Sequence, residues 1–212
     1  MICSPSFLSC DFSKLETEIK SINHAKWLHF DVMDGIFVDN ITYDEKMVKK
    51  IKAISSQFFD VHLMIIEPEK HIEEYIKVGA DLITFHLEAT EDSLELIKKI
   101  KKSNVKAGIS IKPQTSVESL DHLLPYLDLI LIMSVEPGKG GQKFIEDSLP
   151  KISYLSRKKQ LYNYNYLIEV DGGINLETAK RVRQSGCDVI VVGSFLFNSS
   201  NRNQLIEELE NV

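Results

Sequence analysis

The sequence predicts an α/β protein, a single-domain (β/α)8 TIM barrel over residues 1–212. Short apolar runs alternate with amphipathic segments, and no low-complexity linker divides them. Polar residues recur at the C-terminal ends of many apolar runs, whereas a doubly wound open sheet would gather them at one switch point. No strand is followed by a GxGxxG dinucleotide turn. These two observations favour the barrel over the open sheet, which shares the alternation.

Eight short segments rich in Ile, Val, Leu and Phe are predicted to be strands. They are residues 2–6, 27–31, 58–64, 82–86, 106–111, 129–133, 166–171 and 189–192. We expect eight helices to alternate with them. Barrels of this type start at about 200 residues, so a chain of 212 residues predicts a compact barrel with few insertions.

Six of the connecting segments carry explicit helix signals. Capping residues or a proline precede an apolar stripe in each, as Leu15, Ile19 and Ile22 show for the first. The starts are Asp11 or Ser13, Thr42 or Asp44, Pro68, Thr90, Asn175, and Asn198 or Ser199. Gly79 and Gly186 are predicted stops.

Composition and charge exclude several classes of protein. A hydrophobic content of 43% and a charged content of 26% are typical of a soluble globular protein. The net charge of −6, without a Lys/Arg tract, argues against a nucleic-acid binder. We expect no secretion signal and no membrane span, because no sufficiently long apolar run occurs. Cys3, Cys10 and Cys187 lack paired spacing and predict reduced thiols in a cytoplasmic protein.

Three predicted strands carry ionisable side chains among apolar ones. Side chains two residues apart share a strand face. The shared faces hold His29, Asp31 and Met33; Asp60, His62 and Met64; and Glu169 with Asp171. Burying an acid or an imidazole costs several kcal/mol of folding free energy unless the group is paired or binds a metal. Two imidazoles with two carboxylates suit Zn²⁺, Fe²⁺, Mn²⁺ or Co²⁺. The alternative is three buried polar networks in a large core.

Alternate residues of each barrel strand point toward the axis. The predicted inward sets are Ser4 and Ser6; His29, Asp31 and Met33; Asp60, His62 and Met64; Thr84, His86 and Glu88; Ser110 and Lys112; Leu131 and Met133; Glu169 and Asp171; and Val192 and Ser194. Their polar groups converge on the C-terminal mouth, where active sites of this fold lie. Met33, Met64 and Met133 either fill gaps in the core or form the dry wall of a pocket there.

The remaining histidines have other predicted roles. His24, His71 and His122 lie among charged residues in helical segments and are expected at the surface. His86 has Glu88 as a neighbour on the same face, which favours a supporting role or a buried pair over metal ligation.

Glycine clusters follow the last three predicted strands. They are Gly138-Lys139-Gly140-Gly141, Gly172-Gly173 and Gly193-Ser194. Backbone N–H groups without side-chain bulk form an anion-binding concavity, and barrels of this type often hold a phosphate after strands seven and eight. One cluster alone indicates a turn, but three on one side of the mouth predict a phosphate site with the Ser194 hydroxyl as a further donor.

Together these motifs resemble the ribulose-phosphate 3-epimerase family. The matching segments are Ser4-Pro5-Ser6-Phe7-Leu8-Ser9, His29-Phe30-Asp31-Val32-Met33-Asp34-Gly35, Phe37-Val38 with Asn40, Asp60-Val61-His62-Leu63-Met64, Met133-Ser134-Val135-Glu136-Pro137-Gly138 with Gly140-Gly141-Gln142, and Val170-Asp171-Gly172-Gly173-Ile174 with Gly193-Ser194. The resemblance implies a cytoplasmic, metal-dependent isomerase of carbohydrate metabolism that interconverts D-ribulose 5-phosphate and D-xylulose 5-phosphate in the pentose phosphate pathway.

The resemblance also implies roles for individual residues. His29, Asp31, His62 and Asp171 would hold one divalent ion per chain, with zinc expected first and iron, manganese or cobalt as alternatives. Asp31 and Asp171 would exchange the substrate proton. The substrate-binding set would be Ser6, His62, Gly138, Lys139, Gly140, Gly141, Gly172, Gly173, Gly193 and Ser194, and Met33, Met64 and Met133 would form the pocket wall. The expected partners are a small phosphosugar and other copies of the chain, with no nucleic acid and no membrane.

Four positions depart from the family's usual pattern. Lys139 stands where Phe is usual, Ile36 and Asp39 where His and Pro are usual, and Lys112 where Asn is common. They bear on the conformation of the phosphate loop, the phosphate affinity and the preferred sugar.

The predicted chemistry inverts a hydroxylated carbon beside a ketone. One carboxylate removes a proton, the other returns a proton to the opposite face, and a divalent ion stabilises the enediolate between these steps. Three alternatives remain at this stage: an epimerase of a six-carbon ketose 6-phosphate such as D-allulose 6-phosphate, a lyase or aldolase that uses Lys112, and a non-catalytic phosphosugar-binding protein.

Overall fold

A computed structural model describes residues 1–212 and shows eight parallel strands in one sheet. The strands are β1 (Ile2–Pro5), β2 (Trp27–Met33), β3 (Phe58–Met64), β4 (Leu82–His86), β5 (Lys106–Ile111), β6 (Leu129–Met133), β7 (Leu167–Asp171) and β8 (Val189–Val192). The first and last strands pair with each other. A parallel bridge between Ser6 and His29 joins the end of β1 to β2 and closes the barrel. The predicted fold class is confirmed.

Eight α-helices surround the sheet: α1 (Leu15–Lys20), α2 (Glu45–Lys52), α3 (Ile72–Lys77), α4 (Ser93–Lys102), α5 (Ser148–Tyr162), α6 (Leu176–Ser185), α7 (Ser194–Phe197) and α8 (Arg202–Asn211). Shorter 3₁₀ turns lie at Phe7–Ser9, Phe12–Lys14, Pro68–Lys70, Leu87–Ala89, Val117–Leu120 and Leu124–Tyr126. No helix is long and apolar enough to cross a membrane.

The predicted helix starts hold in part. Asp44 caps α2 and Asn175 caps α6, each accepting two backbone N–H groups, and Gly186 ends α6 with a positive φ. In contrast, α4 starts after Asp92 rather than Thr90, because the Asp92 carboxylate accepts the backbone N–H of Glu95.

Three further starts differ from the prediction. Pro68 begins a 3₁₀ turn, and α3 starts only at Ile72. Asp11 caps the 3₁₀ turn before α1 instead of α1 itself. The last helix begins after Asn201, later than the predicted Asn198 or Ser199, because the single turn α7 occupies residues 194–197.

The connection between β5 and β6 departs from the predicted alternation of strand and helix. It contains two 3₁₀ turns and no α-helix. Pro125 lies in the second turn and has no backbone N–H to donate, so an α-helix cannot continue there. The ammonium group of Lys151 on α5 secures this connection by donating to the carbonyls of Lys112, Pro113 and Thr115 at 3.3, 2.6 and 2.7 Å.

Apolar side chains fill the space between the sheet and the helices, whereas the barrel interior is mixed. Leu82, Leu129 and Leu131 form a small apolar cluster inside with Met133 and Val135. The inward face of the other strands carries the predicted polar residues.

Of the predicted inward pair at β8, Ser194 lines the cavity but the inward position of Val192 is wrong. In the sheet register Val191 lies opposite Asp171 and also opposite Ser4. Val191 therefore faces the interior and lines the central cavity, while Val192 packs in the outer core. The strand reads Val-Ile-Val-Val, so no polar residue marks its inner face.

The predicted surface groups and thiols have the expected environments. His24, His71 and His122 are exposed. Cys3, Cys10 and Cys187 form no disulfide, and two of them are buried.

An ion pair between α1 and α8 gives a stability prediction. Arg202 donates to Glu18 Oε2, Ser21 Oγ and the Phe197 carbonyl, each at 2.8 Å. The side chains of Arg202 and Glu18 are only 18% and 10% exposed. Arg202→Met should lower the free energy of unfolding in urea by about 2 kcal/mol, since it leaves a poorly solvated carboxylate without its partner.

Lys14→Met is the matched control, because Lys14 pairs with Asp11 at a site where the side chains are 67% and 46% exposed. Its unfolding curve should superimpose on that of the unchanged protein. Equal unfolding midpoints for the two variants would contradict the assigned role of Arg202.

Candidate active site

Three strands bring four polar side chains to one point in the barrel. His29 and Asp31 lie on β2, His62 on β3 and Asp171 at the end of β7, and one ligand atom from each lies within 4.8 Å of the others. Asp31 Oδ1 lies 3.4 Å from His29 Nε2 and 3.3 Å from His62 Nδ1. The structure thus brings together the four residues that the sequence singled out as a metal-ligand group.

The donor set fits a divalent metal. His29 Nε2 is fully buried and has no hydrogen-bond partner, while His29 Nδ1 contacts Asp60 Oδ2 at 2.6 Å. A histidine that turns one nitrogen to a carboxylate and leaves the other bare within a group of ligands is typical of metal sites. Two imidazole nitrogens and two carboxylates suit borderline divalent ions.

Two acids lie beneath this group. Asp60 and Glu169 are both fully buried, and neither carboxylate oxygen of Glu169 has a hydrogen-bond partner. Burial, followed by the nearby Asp60 charge, raises the pKa of Glu169 well above its usual range. Burial would lower the pKa of His29, but Asp60 and then Asp31 raise it well above its ordinary value. The sequence predicted an inward position for both acids but not the contact of Asp60 with His29.

The two candidate catalytic carboxylates have opposite electrostatic environments. Burial raises the pKa of Asp31, but His29 and His62 outweigh that effect and hold it below its usual value. Ser6 Oγ also donates to Asp31 Oδ2 at 2.6 Å. Burial, and then the Asp31 charge, raise the pKa of Asp171 to about 7. One carboxylate is therefore held ionised while the other can retain a proton near neutral pH.

A cavity of about 280 Å³ opens above this group. Its lining includes Ser6, Met33, Met64, Met133, Asp31, Asp171, Gly138, Lys139, Gly140, Gly141, Gly172, Gly173, Gly193 and Ser194. His29 and His62 lie below the cavity floor and do not line it.

Sequence reasoning did not single out eleven other lining residues. They are Leu8, Ser9, Val135, Glu136, Pro137, Gln142, Ile174, Asn175, Val191, Phe195 and Asn198. Several of them lie inside or beside the motif segments, so the motifs could have identified them as lining residues. Phe195 and Asn198 reach the cavity through the α7 turn, and the sequence carries no signal for that position.

The glycine segments differ in their packing: the backbone at Gly172 is closely packed, whereas Gly140 and Gly141 lie in an open loop. Gly172 has a φ of +120°, and a Cβ there would lie 2.4 Å from Val135 Cγ2. The Ser134 hydroxyl donates to the carbonyls of Asp171 and Gly172 at 2.9 and 2.7 Å. Gly140 and Gly141 face open space. The backbone after Asp171 is therefore fixed, whereas the loop that carries Lys139 has room around it.

The loop after β2 contacts the loop after β6. Asn40 Nδ2 donates to the Gly138 carbonyl at 2.5 Å, and a Cβ at Gly138 would lie 2.7 Å from Val38 Cβ. Ile36 is 70% exposed on the same loop, and Asp39 is exposed as well.

Lys112 does not line the cavity. Its Nζ lies 4.0 Å from the centroid of the Phe37 ring. This position gives no support to the lyase alternative, which needs a lysine amine at the substrate.

The chain matches known proteins over nearly its whole length. The profile of the Ribulose-phosphate 3 epimerase family matches residues 2–197. Proteins named ribulose-phosphate 3-epimerase are 43% identical in Bacillus subtilis, over 97% of this chain and 96% of that protein, and 42% identical in Synechocystis sp., over 100% and 94%. The corresponding Candida glabrata protein is 42% identical over 97% of this chain and 89% of its own length.

Solved structures with much lower identity share the fold. A 3-hexulose-6-phosphate synthase superimposes with a TM-score of 0.72 at 14% identity, covering 100% of this chain and 99% of that one. KGPDC from Streptococcus mutans in complex with D-R5P has a TM-score of 0.72 at 12% identity, with coverage of 99% and 95%. These structural similarities show that the chain shares the barrel fold, and they give no evidence about its chemistry.

Removal of one imidazole tests the metal-ligand group. The purified protein should contain about one divalent ion per chain, and His62→Ala should lose the ion and the activity together. The variant should still fold, because His62 lies outside the apolar clusters of the core. Elemental analysis measures the metal content, and circular dichroism measures whether the variant folds.

His71→Ala, which changes an exposed imidazole, is the control and should retain both metal and activity. A folded His62→Ala protein with full metal content and full activity would refute the ligand group.

Proposed function

The chain belongs to the ribulose-phosphate 3-epimerase family, and we propose on that premise that its single domain, residues 1–212, inverts C3 of D-ribulose 5-phosphate to give D-xylulose 5-phosphate. The protein is an isomerase, as its membership of this family and its identity to relatives of that name show. The single observation that carries the chemistry is the position of two carboxylates, Asp31 and Asp171, from separate strands at the floor of one cavity.

Each aspartate has a distinct task in this proposal. Asp31 is ionised and so free to take the substrate proton, because Ser6 and the two imidazoles stabilise its charged form in place. Asp171, whose pKa is raised to about 7, can donate a proton from the other side of the substrate. The roles reverse when the reaction runs backward. Strands β2 and β7 lie well apart in the barrel order, which supports access to opposite faces of the substrate.

A divalent ion held by His29, Asp31, His62 and Asp171 would supply Lewis-acid stabilisation of the negative charge that develops on the substrate oxygens. We propose zinc as this ion, with iron, manganese or cobalt as alternatives, since the mixed nitrogen and oxygen donor set accommodates each of them. The protein's own contribution is to orient these side chains and to limit the access of water. Met33, Met64 and Met133 provide apolar surface above the floor for that purpose.

The phosphate of the substrate is proposed to bind among the three glycine segments. All of them line the same cavity, and small residues there bring backbone N–H groups close to an anion. Ser194 at the start of α7 adds a hydroxyl donor, and Lys139 adds a positive charge in the open loop.

We also propose the cellular setting and assembly. The unpaired cysteines support a cytoplasmic enzyme, and the family membership supports a place in the pentose phosphate pathway. A homo-oligomer is supported by Ile36 and Ile41, which are 70% and 77% exposed on one loop and offer apolar surface to a second copy.

Conservative substitutions test the proposed reaction. Asp31→Asn and Asp171→Asn should each reduce epimerisation of D-ribulose 5-phosphate by at least about 100-fold, because each removes one proton acceptor. A coupled assay with added metal measures the rate, and a parallel assay with six-carbon ketose phosphates measures the substrate preference. One variant should still exchange the C3 proton with deuterated solvent without inversion.

Glu91→Gln changes an exposed carboxylate outside the cavity lining; it is the control and should leave the rate unchanged. Near-normal epimerisation by either active-site variant with its metal bound would show that the reaction does not use two carboxylates.

Lys139→Phe tests the phosphate loop. If the Lys139 ammonium contacts the phosphate, the substitution should raise KM more than it lowers kcat, and the rise should shrink as salt screens the charge. Lys143→Phe, in the same loop but outside the cavity lining, should leave KM unchanged. Equal KM values for the Lys139→Phe and unchanged proteins across ionic strength would exclude the contact.

A further inference from the structure

A third buried imidazole lies behind His62. His86 ends β4 and is fully buried, and its Nε2 lies 2.9 Å from His62 Nε2. The proposed reaction uses no atom of His86. A hydrogen bond between two imidazoles requires one nitrogen to donate and the other to accept. The direction of this bond therefore determines which nitrogen of His62 carries a proton.

The surroundings of His86 determine that direction. His86 Nδ1 is buried, has no shorter contact with an acceptor, and faces Glu88 Oε2 at 3.4 Å. A carboxylate favours a proton on the Nδ1 that faces it, and this holds both for His86 beside Glu88 and for His62 beside Asp31, but two neutral rings joined through their Nε2 atoms can satisfy only one of the two. Asp31 already accepts the Ser6 hydroxyl and lies beside His29, whereas Glu88 Oε2 has no other donor, so the proton is assigned to His86 Nδ1. With its proton on Nδ1, neutral His86 presents a bare Nε2 to His62. The proton between the two rings then belongs to His62 Nε2.

Glu88 is itself held in place. Its Oε1 accepts the backbone N–H of Lys112 at 2.9 Å and the hydroxyl of Thr115. Burial raises the pKa of Glu88, but hydrogen bonds from His86, Thr115 and Lys112 outweigh it and lower the pKa to about 2. The Glu88 side chain is 24% exposed, so it lies between the buried pair of imidazoles and the rim of the barrel.

A proton on His62 Nε2 leaves the Nδ1 lone pair free, and Nδ1 is the atom that lies 3.3 Å from Asp31 Oδ1 within the ligand group. The competing tautomer would place the proton on Nδ1, where it could bond to Asp31 and block a metal. We propose that Glu88 and His86 act as positioning residues that keep the proton on His62 Nε2 and so keep His62 Nδ1 available as a ligand. This inference rests on the metal site in the proposed function.

The two ligand histidines are then supported in different ways. His29 turns its second nitrogen directly to a carboxylate, Asp60 at 2.6 Å. The second nitrogen of His62, Nε2, reaches a carboxylate only through another imidazole. The Phe37 ring also packs against His86, with ring centroids 4.7 Å apart, and helps to fix the ring plane.

Metal titration of the full-length protein tests the inference. Metal-free protein is titrated with Co²⁺ against a chelator, and visible absorption reports the coordination. His86→Leu removes the acceptor for His62 Nε2 and should weaken Co²⁺ binding by about 10- to 100-fold. His86→Gln retains an acceptor oxygen toward His62 and should bind within about 3-fold of the unchanged protein, well inside that range. Glu88→Ala, at a partly exposed position, replaces His86→Leu if the latter does not fold.

A second readout reports the tautomer itself. In metal-free protein with ¹⁵N-labelled histidine, two-bond proton–nitrogen spectra should show the His62 proton on Nε2. His86→Leu should move it toward Nδ1. Ser110→Ala is the control, since Ser110 lies opposite His86 in the sheet register and its hydroxyl has no partner.

The outcomes separate the two claims. If the unchanged protein binds no Co²⁺, the metal site of the proposed function fails, while the tautomer measurement still tests the positioning role. If Co²⁺ binds and His86→Leu retains both the affinity and the Nε2 proton, the positioning role is wrong. It is also wrong if Ser110→Ala weakens binding as much as His86→Leu does.

Discussion

The structure depends on the way charge is accommodated inside the barrel. Asp31, Asp60 and Glu169 lie beside His29 and His62 in an interior that is almost free of solvent. An ionised group in such surroundings is tolerated only when an opposite charge or a hydrogen bond compensates for lost hydration. His29 provides that compensation twice, with one nitrogen near Asp31 and the other against Asp60. Glu169 has only a longer contact, 3.9 Å, with His29 Nδ1, and burial and the Asp60 charge raise its pKa.

The same constraint makes two chemically identical side chains unequal. Asp31 lies between two imidazoles and receives the Ser6 hydroxyl, whereas Asp171 has no side-chain partner of this kind. Their pKa values move in opposite directions although both carboxylates are close to one point. A pair of carboxylates separated in this way can divide the work of removing and returning a proton. The difference between the two pKa values comes from the neighbouring side chains. The pairing of β2 with β3 fixes which side chains lie beside Asp31.

The sequence predicted most of the barrel because polar residues mark the inner faces of β2, β3 and β7. Where that marker is missing the prediction failed, as on β8, whose Val191 and Val192 are chemically alike. The metal-ligand group could be predicted from spacing within single strands. The contact between His62 and His86 could not, because it depends on the register of neighbouring strands, which spacing within a strand does not contain. The 3₁₀ connection after β5 was not predicted, because the alternation of strand and helix predicts a helix there, whereas Pro125 prevents one.

One feature near the cavity has a consequence for the size of the sugar. Asp171 is followed without interruption by Gly172 and Gly173, and Ser134 fixes this junction through two carbonyls. Under the proposed function, the proton-transfer carboxylate and part of the phosphate cradle are consecutive residues of one rigid backbone. The geometry of this main chain then sets the distance between the reacting carbon and the phosphate. A change of sugar chain length would require a new backbone path at this junction, and side-chain replacement around the cavity would not supply it.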